Sequence, residues 1–529
     1  AGASRPQPLL GAASECHPCP CRPLASRCMS GGRRRPGSNA AGKSDRVDSY
    51  DRHLGRGFNW LGGATITARV IDFSTILVVL LFLTKQQLGL ASLVVSVGMV
   101  IEACDGLGTS EALIQAQSVS RLQLDTLFWF IMVAAVLIAG LTLLAAPWIE
   151  AIYGVGGMAT YFLAIAVKQP LVGAALIPLA MMNRDLQYER IAVVNVCATL
   201  AAALTRLGLA VSGAGAWALV VGYASSGLYV LLGAWVARPF RPGLRLRISV
   251  ILPLVRFGMR AAAANMFEQV FKNIDYLMVG WFYGASPLAV YRVAFDVAME
   301  PAMAVGTLVN RTVLPVFARI ATLRDQFVPS LTWSLGRIVI LVAPLTAGLM
   351  LVADPLTALL HDGLGNSYAA AALPLKLLAA AALMRVTSQL LFPVMIGSGR
   401  PGAAARLSAT TLLLLSAGIL AVGLSFPPSS GIIAVSAVWL GIYPLLLVWG
   451  ACYLRRHWDV GVCKLARTFI KPFIGIGVMV SIVEVARAAI GTSDPRIRIG
   501  IVVTAMALTY AGLFRQASRR PDRQRDRPW

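Results

Sequence analysis

The chain has 529 residues, of which 57% are hydrophobic and only 13% charged, and its mean hydropathy is +0.70. An ordinary soluble domain is about a quarter charged, so a water-soluble globule is excluded, and apolar runs that are continuous rather than alternating exclude a membrane β-barrel. The formal net charge of +23 is spread over short loops with no basic face interleaved with aromatics, which excludes nucleic acid as a partner and reads as an orientation signal with attraction to anionic lipid headgroups.

In chain order, residues 1–55 lack the apolar core of a secretory signal and are expected to form a disordered cytoplasmic tail, with Met29 as an internal candidate start. Cys16, Cys19, Cys21 and Cys28, with His17, are residue types that bind zinc. The Pro, Ser, Arg and Gly around them offer no scaffold, so no metal site is expected. Cys104, Cys197, Cys452 and Cys463 lie in or beside apolar runs and read as small packing residues.

A helix of roughly 20 apolar residues crosses a hydrocarbon core of about 30 Å, and segments of that kind recur along the rest of the chain. Set against charged breaks, they predict an all-α polytopic membrane protein with about fourteen spans. The spans fall near 58–84, 88–104, 124–147, 158–181, 191–211, 215–237, 250–281, 288–317, 328–352, 371–396, 405–425, 431–453, 468–487 and 497–514.

Lys and Arg sort by loop parity. One side holds Arg33, Arg34, Arg35, Lys43, Arg46, Arg52 and Arg56 of the tail, then Arg121, then Arg184 and Arg190, then Arg238, Arg241, Arg245 and Arg247. It continues with Arg319, Arg324, Arg400, Arg406, Arg455, Arg456, Lys464, Arg467, Arg515, Arg519 and Arg520. Loops of the other parity hold almost none, with Lys85 and Arg496 the exceptions. The excess of cations on the cytoplasmic side places both termini there, with residues 516–529 as a basic cytoplasmic tail.

The outward loops are short, and the longest carries Asp354, His361 and Asp362. No G-x-x-x-x-G-K-[ST] phosphate loop, H-E-x-x-H zinc pair or G-x-S-x-G elbow occurs. Neither a cofactor nor an enzyme is therefore expected. GVGG at 154–157 reads as a turn.

The segments KNIDYLMVGWFYGASPLAVYRVAFDVAMEP at 272–301 and RTVLPVFARI at 311–320 resemble the seventh and eighth helices of bacterial polysaccharide exporters of the Wzx/WzxC type. These belong to the multidrug, oligosaccharidyl-lipid and polysaccharide exporter superfamily. GLGTSEALIQ at 106–115, ALIPLAMMNRDLQYERIAVVN at 175–195, GAGAWALVVG at 213–222 and GSGRPGAAARLS at 397–408 are similar to the connections of that family, in the same order. The resemblance implies two six-helix lobes, 56–247 and 248–455, around a central cavity, with two further helices over 456–515. It also implies a flippase for undecaprenyl-pyrophosphate-linked oligosaccharide repeat units, working in the bacterial inner membrane by alternating access. Its partners would be the lipid-linked oligosaccharide and membrane lipids, with a polysaccharide polymerase and glycosyltransferases as functional neighbours. A weak internal repeat agrees with two lobes: Phe58 leads to LGLASLVVSV at 88–97, and Phe257 leads to LAVYRVAFDV at 288–297.

A charged side chain near the bilayer centre costs at least about 2.5–3.5 kcal/mol on insertion scales and is kept where it faces a partner or a cavity. Arg69, Lys168, Arg206, Lys272, Arg292 and Arg385 are the candidates for binding a pyrophosphate, and Asp72, Glu268, Asp275 and Asp296 for ion coupling. Helical spacing pairs Arg69 with Asp72, Glu268 with Lys272 and Arg292 with Asp296, so mutual neutralisation is the competing reading. Glu268, Lys272 and Asp275 are expected on one cavity-lining face. A drug or metabolite exporter of the same superfamily would favour an acidic, aromatic cavity, and a polymerase or ligase would need a large outward loop.

Overall fold

A chain in hydrocarbon must satisfy its own backbone hydrogen bonds, and a continuous apolar segment does so as a helix. The computed structural model describes Trp60 and residues 62–518, apart from 117, 321–323, 459 and 491–493. The expected tail over 1–55, with its Cys16 to Cys28 cluster, lies outside the described residues, as does the chain from 519 onward. Among the described residues no strand forms, and one isolated bridge joins His361 to Ser367.

The helices are α1 (Gly62–Val79), α2 (Lys85–Glu102), α3 (Thr109–Gln115), α4 (Arg121–Tyr153), α5 (Met158–Arg184), α6 (Tyr188–Val211), α7 (Ala216–Ala237) and α8 (Ile248–Tyr283). They continue as α9 (Ala285–Ile320), α10 (Arg324–Leu359), α11 (Ala372–Gln389), α12 (Leu391–Gly397), α13 (Pro401–Ser425), α14 (Pro428–Trp458), α15 (Val462–Ile490) and α16 (Pro495–Ser518). Among the described residues twelve helical segments are long and apolar enough to cross a membrane. Helices α9 and α16 occupy the two remaining expected positions.

Local chemistry fixes several boundaries. Thr84 and Ser120 cap α2 and α4, each in a reciprocal capping box with the Gln three residues on. The Gly cluster at 154–157 is a turn, as expected: Gly154 and Gly157 have φ of 63° and 80°, and Glu150 accepts from the amides of Gly157 and Ala159. The expected span 88–104 ends at Glu102 and turns through Gly106, Leu107 and Gly108, all at positive φ, into α3.

Helices α4 to α7 pack together as one bundle with α2, and α9 to α14 as a second, with α15 and α16 against α10. Lipid removes the hydrophobic drive between helices, so close packing by small residues must hold them. The two segments of the internal repeat meet here. Gly89 of α2 abuts the Ala285 backbone at the start of α9, leaving no room for a Cβ, and Leu88, Leu93 and Val94 share a core with Leu288, Tyr291 and Val293. Helix α8 changes partners along its length, with Ile251 and Val255 in a cluster with Leu113 and Leu127 of the first bundle. Farther along, α8 lies against α2, α9 and α13.

Three of the Arg-bearing loops meet. Arg121 donates to the Arg241 carbonyl, Arg190 to the Ala237 carbonyl at 3.1 Å, and Arg238 pairs with Asp185. Two of the loops poor in cations also meet. Gly363 N–H donates to Leu83 O at 2.9 Å and Lys85 Nζ to Ser367 O at 2.8 Å, tying the α1–α2 turn to the loop after α10. In that loop burial pushes the Asp362 carboxyl up, but bonds from the Asn366 and Leu364 amides and the nearby Lys85 outweigh it and hold the pKa below the usual carboxylate range.

Candidate functional site

Five of the six cations singled out in the sequence stand within 4 Å of a carboxylate. The partners are not all the ones helical spacing suggests. Arg69 and Asp72 face different helices: Arg69 Nη1 reaches Glu300 of α9 at 2.5 Å, and Asp72 meets Arg206 of α6 at 3.5 Å. The expected Arg69–Asp72 pair is thus replaced by two contacts between helices, because neighbouring helices bring longer-range partners closer than the spacing of three on α1.

On α9 the expected pair forms. Arg292 Nε donates to Asp296 at 3.2 Å, the other oxygen of Asp296 accepts from Tyr276 at 2.9 Å, and the guanidinium lies 5.5 Å from the Tyr276 ring centre. Glu300 follows Asp296 by four residues, so Arg292, Asp296 and Glu300 form one acidic and basic stripe. That i, i+4, i+8 series was readable in the sequence, although Glu300 was missing from the candidates. Phe73 and Leu77 of α1 cover the Arg292–Asp296 pair in a narrow apolar notch. The result is a charged seam in which α1, paired with α6 of the first bundle, faces α9 of the second. Arg69 and Glu300 remain 57% and 39% exposed.

Lys168 sits elsewhere, inside the first bundle. Its ammonium pairs with Glu102 at 2.5 Å and lies 3.4 Å from the centre of the Tyr223 ring, with side-chain exposures of 6% and 24% for Lys168 and Glu102. Beside it the side-chain amide of Gln169, turned so that its NH2 faces the acid, donates to Asp105. Glu102 and Asp105 were missed because they lie at the end of an apolar run, where a carboxylate reads as an interface residue.

Glu268, Lys272 and Asp275, at spacings of four and three, share one side of α8 but not one environment. Glu268 and Lys272 pair with each other at 2.6 Å and stay exposed, whereas Asp275 is fully buried. Its carboxylate accepts from Tyr291 at 2.9 Å, and Tyr291 accepts from the Trp439 indole at 2.9 Å. Trp439 is a core residue whose N–H finds its partner there. Arg385 has no carboxylate within 4 Å among the described residues, and its guanidinium lies 4.8 Å from the Trp439 ring and 5.8 Å from Phe271.

The Arg69–Glu300 pair thus joins α1 to α9 across this seam, and comparison with known proteins shows what the chain is similar to. A family model described as "Polysaccharide biosynthesis protein" matches residues 78–372. The Lipopolysaccharide biosynthesis protein WzxC of Escherichia coli is 23% identical over 305 residues, 57% of this chain and 60% of that protein. The chain thus spans less than two thirds of that relative. The Teichuronic acid biosynthesis protein TuaB of Bacillus subtilis is 22% identical over 78% of this chain and 84% of its own length. Among solved structures, the Lipid II flippase MurJ in an inward closed conformation superposes with a TM-score of 0.68, covering 87% of this chain and 99% of MurJ at 13% identity. The fold is therefore like that of the MurJ structure, and the chain belongs to the polysaccharide biosynthesis protein family, whose model covers more than half of it.

Proposed function

We propose that the chain is a flippase, not an enzyme. It carries undecaprenyl-pyrophosphate-linked oligosaccharide repeat units across the bacterial inner membrane for cell-surface polysaccharide synthesis. Both termini are cytoplasmic, the lobes comprise 56–247 and 248–455, and α8 is a strut shared between them. Support comes from the family, from relatives named for lipopolysaccharide and teichuronic acid biosynthesis, and from the likeness to a lipid II flippase.

The observation that carries the mechanism is the Arg69–Glu300 pair, which joins the bundles and is open to a ligand. An exposed pair contributes only about 0.2–1 kcal/mol, so the oxygens of a pyrophosphate can displace Glu300 and take Arg69 through charge-assisted hydrogen bonds. Losing that bridge frees α1 from α9, and rocking of the lobes then exposes the site to the opposite side. Arg206, Arg292 and Arg385 supply further positive potential; Asp72, Asp296 and Glu300 re-form pairs once substrate leaves. Asp275 belongs to the second lobe's interior, where ion coupling would act on that lobe alone.

The test uses purified protein in liposomes with a fluorescent undecaprenyl-pyrophosphate oligosaccharide. Protein-dependent movement to the far leaflet, reduced at least tenfold in Arg69→Ala, is expected. Efflux of cationic dyes with no lipid movement would overturn the assignment in favour of a drug exporter.

A further inference from the structure

A second cationic site lies at the Arg-rich end of the second bundle, where the turn between α12 and α13 meets the end of α14. It is a pocket of about 390 Å³ lined by Arg400, Gly402, Ala403, Arg406, Tyr453 and His457. None of these residues belongs to the charged seam.

The walls of the pocket present donors and no acid. Helix α13 starts there with Arg400 at its N-cap, Pro401 at its first position and no side-chain cap; Pro401 has no N–H and Ala403 N–H donates to Arg400 O at 3.0 Å, so of the first three amides that of Gly402 is left to the pocket, at the positive end of the helix dipole. Gly399, at φ 75°, makes the turn, and the Arg400 amide donates to Met395 O at 2.9 Å, which fixes the approach of the chain. The Tyr453 hydroxyl is buried with no hydrogen-bond partner among the described residues, an arrangement that costs about 1–3 kcal/mol for a buried polar group unless a ligand meets it. His457 Nδ1 lies 2.9 Å from Tyr453 O, which turns the other ring nitrogen away from the helix backbone. The Arg400 guanidinium stands 5.5 Å over the Trp458 ring, which orients it without neutralising it.

Counter-charge is missing from the helices themselves. Between Asp362 and Asp459 the sequence holds no Asp or Glu, so α11, α12, α13 and α14 bring no carboxylate to the two arginines. Two guanidiniums, the Gly402 amide at a helix N-terminus and a phenol make a donor set that matches the anionic oxygens of a tetrahedral phosphate.

We propose that this pocket binds a phosphate-bearing anion at the membrane surface, either the headgroup phosphate of an anionic phospholipid or a soluble phosphate compound. The chemistry is the same for both sources, and two probes separate them. Full-length protein in detergent is titrated with phosphatidylglycerol against phosphatidylcholine and followed by native mass spectrometry; inorganic pyrophosphate is titrated in parallel and followed by thermal shift. Arg400→Gln/Arg406→Gln should weaken at least one anion by tenfold or more, and the probe that responds identifies the source. Arg455→Gln/Arg456→Gln removes the same charge from exposed positions outside the pocket and should leave binding within twofold. Tyr453→Phe removes one oxygen at constant charge and should weaken the same anion at least threefold, which tests the pocket independently if the double arginine variant fails to fold. Equal weakening by both arginine pairs, or a wild type that binds neither anion above the phosphatidylcholine background, would overturn the proposal.

Discussion

Arg69 and Lys168 carry the same formal charge into the membrane, but burial gives them different work. The Arg69–Glu300 pair is more than a third exposed on both sides, so its removal should cost no more than about 1 kcal/mol of stability. Lys168 is almost wholly enclosed with Glu102, and truncating one member of such a pair strands the other at a cost of about 3–5 kcal/mol. Lys168→Met should therefore lower the amount of monodisperse protein recovered in detergent several-fold, with Glu102→Gln/Lys168→Met recovering most of it. Arg69→Ala should leave recovery unchanged while impairing transport. Equal recovery of the Lys168 and Arg69 single variants would refute this division into a structural cation and a substrate-facing one.

At the scale of elements, the two bundles touch where glycine lets backbones meet. Gly108, at φ 67°, lies so close to Gly258 of α8 that a Cβ on either residue would strike the backbone of the other segment. Leu107 beside it holds φ at 48°, a conformation that costs an L-residue about 1–2 kcal/mol and persists because this crossing holds the turn. Gly258→Ala keeps an ordinary helical backbone and adds only the methyl group, so it isolates the steric term. We expect it to lower the midpoint of thermal unfolding by several degrees, and Gly108→Ala to lower it further because strain is added to the clash. Gly140→Ala, on α4 where a Cβ meets nothing within 4 Å, should leave the midpoint unchanged or raise it slightly. A Gly258→Ala variant as stable as the parent would show that the crossing is loose.

For the molecule as a whole, the loop contacts keep to the parity of the Lys and Arg pattern. The contacts of Arg121, Arg190 and Arg238 all lie between loops of one parity, and Leu83–Gly363 and Lys85–Ser367 between loops of the other. Reporter fusions after Arg184, Gly243 and Ser518 should read as cytoplasmic, and fusions near Gly156 and His361 as periplasmic. Readings that divide Arg184 from Gly243 would break the assignment of these loops to one face.

The positions and order of the membrane helices were legible in the sequence, because a hydrocarbon slab of fixed thickness imposes a length and a composition on each segment separately. Pairs on one helix were legible too: Glu268–Lys272 and Arg292–Asp296 form as spacing dictates, since both members ride on the same backbone. Only the tertiary structure decided that Arg69 takes Glu300, that Asp72 takes Arg206 and that Asp275 turns inward to Tyr291. Those choices depend on which faces of α1, α6, α8 and α9 meet. In lipid that is set by close packing at small residues such as Gly89 and Gly258, and not by the hydropathy that marks the segments.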